Sequence, residues 1–83
     1  MTWLRAQLDE RESTAAHNLA SIERHDLAVQ MLVEVDAKRR ILDLHRQDGA
    51  LCEHCDAHWP CPTVRLVGLP YADRDGYREE WRP

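Results

Sequence analysis

The stretch "LCEHCDAHWPCP", residues 51 to 62, holds three cysteines and two histidines, and the chain has no other cysteine. No other segment of the 83 residues restricts the fold so tightly. A chain this short buries a thin core, and domains of this size often rely on a disulfide or a metal as a staple. Three cysteines leave one thiol over in any disulfide scheme. No apolar run approaches the roughly 18 residues that a membrane span requires. The segment "MTWLRAQLDERE" is charged from Arg5 onward, unlike a secretory leader. These features place the chain in the cytoplasm, where thiols stay reduced and a cysteine cluster more often holds metal than pairs. A redox role is the alternative reading of the same thiols.

Cys52 and Cys55 are separated by two residues, the gap that lets two thiolates and nearby backbone amides wrap one ion, and Cys61 adds a third sulfur. A structural zinc site takes four ligands in a tetrahedron, so one further donor is needed. His45 is the preferred fourth ligand, because it closes the second predicted helix on its core side and would tie that helix to the cysteine loop. His58, between two of the cysteines, is the fallback, and His54 sits inside the knuckle where its side chain would point away. Cys61 precedes Pro62, which suits the first position of a helix, so its thiolate would meet the positive end of a helix dipole. Zinc is the expected guest, as a structural ion, and iron is the alternative for a set of three thiolates and one imidazole. A catalytic zinc would keep an open position and want a carboxylate base. Glu53 and Asp56 are near in sequence, but no glycine-rich phosphate loop, serine nucleophile setting or paired-carboxylate frame accompanies them. The expectation is a protein that is not an enzyme.

Around this loop the chain reads as mainly α. Leu4, Leu8, Ala15 and Leu19 form a helical stripe that predicts a helix over about 2–18, with fraying or a bend at "ESTAAHN". Asp26 is the expected N-cap of a second helix over about 26–46, carrying Met31, Leu32, Val35, Ile41 and Leu42, with Gly49 of "QDGA" as its terminator. The short link "SIERHD" predicts an antiparallel helical hairpin. A metal loop over 45–61 and a short helix over about 62–69, stopped at Pro70, complete one small metal-stapled domain. A turn at "DRDG" and one more helical turn carrying Tyr77 and Trp81 follow.

Lys38, Arg39, Arg40 and Arg46 form the one local cluster of positive charge in a chain of net charge -4. The balance disfavours nucleic acid, whose affinity comes from neutralising phosphates, and favours a solvated face paired to Glu34, Asp36 and Asp43. The aromatics Tyr71, Tyr77 and Trp81, with Trp59, offer either a docking surface or a cover for the small core; at least two are expected to pack on the hairpin, and Trp3 to join from the N-terminal side.

The segments "EVDAKRRILDLHR" and "PCPTVRLVGLPYADRDGYREEWRP", on either side of the cysteine knuckle, resemble a family of short uncharacterised actinobacterial and phage proteins, a domain of unknown function. The resemblance runs over roughly residues 26 to 83, with the C-terminal block its specific part. It implies that Cys52, Cys55 and Cys61, with His45, form the family's metal-type cluster, and it implies no activity. Gly68 and Arg74 stand where the resemblance leads one to expect alanine and histidine. The expected function is therefore a zinc-stabilised module that binds a protein partner, or itself as a homo-oligomer, through the hairpin or the aromatic C-terminus around Trp81. The alternative is a nucleic-acid-binding zinc module acting through Lys38, Arg39, Arg40 and Arg46.

Overall fold

The apolar stripe of the first segment does form one helix, and in the computed structural model, which describes all residues 1–83, α1 runs without a break over Thr2–Asn18. The expected fraying at "ESTAAHN" does not occur. Ala15 is fully buried there, and the hydroxyl of Thr14 donates to the carbonyl of Glu10 at 3.2 Å instead of competing for the helix's own amides. A tight turn returns the chain, and α2 spans His25–Leu44 antiparallel to α1. Asp26 is not the N-cap. Arg24 holds that position without a side-chain cap, and Asp26 lies in the first turn, where its charge still faces the positive end of the dipole.

α2 buries Ala28, Val35 and Leu42, and α1 buries Leu4, Leu8 and Ala15. Arg39 fastens the hairpin from α2 by pairing with both Asp9 and Glu12 of α1, and Arg5 reaches Asp43 at 3.0 Å.

The second helix ends earlier than expected. His45 leaves helical geometry (φ -102°, ψ 79°), and Arg46 enters extended backbone whose carbonyl accepts from Glu53 N–H at 2.7 Å. Gly49 is consequently not a helix terminator. It sits at the turn of a small antiparallel hairpin, β1 (Gln47–Asp48) and β2 (Leu51–Cys52), in register Gln47 with Cys52 and Asp48 with Leu51. Its φ of +61° at the first of two central positions is the conformation a type II′ turn asks of glycine.

The loop then returns, with Leu51 bridging to His58, and Cys61 caps α3 (Pro62–Gly68), with Pro62 at the start as expected. A 3₁₀ turn at Leu69–Tyr71 accommodates Pro70, and a second at Glu79–Trp81 carries Trp81 without Tyr77.

The core lies at one end of the hairpin. Leu4 and Leu8 from α1, Val35 and Leu42 from α2, Val64 and Val67 from α3, and Tyr71 pack with Cys52 and Cys61 in a single cluster. Two of its members are therefore the cysteines themselves. The tail closes over it: Trp3 packs against Tyr77 and Trp81 at ring separations of 5.8 and 5.5 Å, and its indole N–H donates to the Asp75 carbonyl at 2.9 Å. No helix is long and apolar enough to cross a membrane.

Candidate metal centre

Four segments deliver one donor each to a common point. His45 is the residue at which the chain turns out of α2, Cys52 ends β2, Cys55 follows in the knuckle turn, and Cys61 caps α3. The knuckle is a tight turn closed by the Asp56 N–H donating to the Cys52 carbonyl at 2.9 Å. Asp56 takes a φ of +59°, a left-handed conformation that aspartate tolerates better than most residues. The register is pinned further by the Cys52 N–H on the Ala57 carbonyl at 2.7 Å and the Trp59 N–H on the Ala50 carbonyl at 2.8 Å.

The ligand atoms of His45, Cys52, Cys55 and Cys61 all lie within 4.8 Å of one another. His45 Nδ1 is 3.4 Å from Cys52 Sγ and 3.5 Å from Cys61 Sγ. A tetrahedral zinc with ordinary bond lengths separates a nitrogen and a sulfur ligand by about 3.6 Å and two sulfurs by about 3.8 Å. The residues present therefore fit a tetrahedral ion, with Nδ1 as the histidine donor. Cys52 and Cys61 are completely buried, Cys55 is exposed, and His45 is half-buried. The set is walled by protein on the core side and open at the knuckle.

The electrostatics agree with anionic ligands. Burial alone would raise the Cys52 thiol. The backbone amides of Cys55 and His54 and the side chains of His45 and Cys55 outweigh it and bring Cys52 down to about 6. Cys61 moves the other way, pushed up first by burial and also by Cys52 and Cys55 beside it, against a backbone amide of Val64 that favours its thiolate. Without a cation, three sulfurs this close resist sharing negative charge. A divalent ion at their centre removes that conflict.

The other histidines stand apart. His58 is exposed in the bridge to Leu51 and is not in the group. His54 is exposed too, but its ring meets that of His45 edge-on at 4.7 Å and so braces the ligand. That bracing and the β-hairpin that aims Cys52 were not foreseen. The hairpin's signal was present as "DGA", an aspartate, a glycine and an alanine between Gln47 and Leu51.

The basic cluster is largely engaged within the chain. Arg39 is held by Asp9 and Glu12, Arg40 by Asp36 at 3.0 Å, and Arg46 donates to the Asp43 carbonyl at 3.1 Å. Lys38 lies over the Tyr71 ring at 5.5 Å and not against Glu34. Trp81 is half-buried in the tail's aromatic cluster.

The family model of a family of unknown function, DUF6221, matches residues 16–83, and the chain belongs to that family. The match takes in α2, the four donors, α3 and the aromatic tail, and leaves out most of α1. No curated protein and no solved structure matches the chain.

Proposed function

We propose that this chain is a zinc-stapled helical module that works by binding protein, with zinc in a structural and not a catalytic role. One observation carries the reading: four protein donors, three sulfurs and one nitrogen, lie within 4.8 Å of one another, and the nitrogen stands at tetrahedral separation from two of the sulfurs. Such a set fills the coordination sphere of zinc and keeps no position for a substrate. Thiolate-rich tetrahedral sites select zinc, or iron as a rarer guest, over the hard cations that prefer oxygen. Three free thiols held this close also suit the reducing cytoplasm.

The staple has work to do in this fold. Only 12 of 83 residues are buried, and the segment from Arg46 to Pro60 gives the core one buried member, Cys52, with Ala57 and Trp59 partly buried against it. Metal ligation would join the end of α2 and the start of α3, which already meet in the core through Leu42 and Val64, to the β-hairpin, which adds only Cys52 to that core. Fixing them gives the helical hairpin a rigid base and leaves its outer surface to a partner. Elemental analysis of the reduced, purified chain tests the first half of this reading, with one zinc per chain expected. Affinity capture from a native lysate with the zinc-loaded chain tests the second, with a stoichiometric protein partner expected and a strict monomer that retains nothing the contrary result.

A further inference from the structure

The outer face of α2 has the pattern of a helix that meets its own copy. At 100° per residue, the side of α2 opposite the buried Ala28, Val35 and Leu42 presents Asp26, Val29, Val33, Ala37, Arg40 and Leu44. The apolar members are well exposed, Val29 at 42%, Val33 at 64% and Leu44 at 61%, and Ile22, just before the helix, at 97%. The row follows spacings of four, four, three and four from Val29 to Leu44, the seam of paired helices. No other element of the chain covers it.

We propose that two copies of the chain pair antiparallel through this face, about a two-fold axis at Val33. This rests on the reading of the chain as a protein-binding module and names a second copy as the partner. The charge pattern selects that arrangement. With Val33 opposite Val33 of the second copy, residues equidistant on either side face each other. Val29 then meets Ala37, Leu44 reaches past the start of the second copy's α2, and Asp26 meets Arg40 twice, once on each side of the axis. Apolar positions meet apolar ones, and opposite charges meet. Sliding the pair by one heptad in either direction sets Val33 against Arg40 or against Asp26. Parallel pairing stacks Arg40 on Arg40 and Asp26 on Asp26. Arg40 pairs within its own chain with Asp36, but both side chains are exposed, at 78% and 62%, so that pair is weak and its arginine can reach across.

The test is size-exclusion with light scattering of the full zinc-loaded chain over a range of concentrations, with zinc content and a thermal melt for every variant. The mass should rise from 9.7 kDa to twice that value as concentration increases. Val33→Glu, which puts two like charges on the axis, should stay monomeric with wild-type zinc content and melting. Asp26→Arg and Arg40→Asp should each weaken association about tenfold, from two symmetry-related pairs turned repulsive, and the double reversal should restore it. A wild-type chain that binds zinc, melts normally and stays monomeric at every concentration would overturn the dimer and leave the metal reading standing. An unchanged dimer in Val33→Glu, or a double reversal no better than the single ones, would overturn this face or this register. A zinc-free wild-type chain would count against the metal reading itself.

Discussion

His45 decides where α2 stops. Its backbone abandons helical geometry one residue after Leu44, and that departure swings Nδ1 toward Cys52 and Cys61. His45→Ala should therefore lose the metal, whereas His58→Ala, on an exposed residue outside the ligand group, should keep it; native mass spectrometry of the two variants distinguishes them. Two glycines differ in the same manner. A Cβ on Gly68 would touch Leu4 at 3.8 Å, an ordinary contact, and its backbone is helical. Gly68→Ala, the residue that the family resemblance led one to expect, should raise stability by about 0.5–1 kcal/mol. Gly76 has φ +90°, and a Cβ there would stand 2.5 Å from Trp3 Nε1, which donates to the Asp75 carbonyl. Gly76→Ala should cost about 1–3 kcal/mol and loosen the aromatic tail. Denaturant melts of both variants give the two signs.

At the scale of elements, the two long helices and the helix after Cys61 were legible in the sequence because apolar spacing and a proline at a helix start are local signals. The ends of α2 were not. Asp26 is a good capping residue by composition, but the turn geometry put Arg24 in that place. Gly49 suited a helix terminator, but α2 ends at Leu44 and the pairing of Asp48 with Leu51 makes Gly49 a hairpin corner. The ligand quartet could be anticipated from spacing, since three cysteines and a core-facing histidine have few ways to converge. The edge contact of His54 on His45 depends on the fold and has no signal in spacing. Protonation links these elements to pH. Cys52 lies at about 6 in the fold against an ordinary 9.0, so folding favours its thiolate, and that contribution is present at alkaline pH and lost as pH falls through 6. Cys61 is raised, so its proton must be expelled when the metal enters. Metal uptake at neutral pH should release protons, chiefly from Cys61, and metal affinity should fall as pH is lowered and protons compete for the donors. Calorimetry in buffers of different ionisation enthalpy reads the first, and a chromogenic zinc indicator the second.

Over the whole molecule the stabilising contacts are unevenly placed. The chain extends 45 × 24 × 17 Å, with the core, the ligand group and the aromatic tail around one end of the hairpin and only Ala15 and Ala28 fully buried toward the other. Two of the core's nine members are cysteines of the candidate metal site, so the apolar cluster and that site are one structure. With the site loaded as proposed, removing the ion would leave three thiols side by side, two of them buried, and would release the β-hairpin from α2 and α3. Cooperative loss of fold, and not local loosening, is the expected consequence. The most direct measurement is zinc content by elemental analysis paired with a thermal melt, on the wild-type chain and on Cys52→Ser and His45→Ala. One zinc per wild-type chain, lost in both variants together with the cooperative transition, is the result this account predicts. A wild-type chain that carries no metal and still melts cooperatively would contradict it.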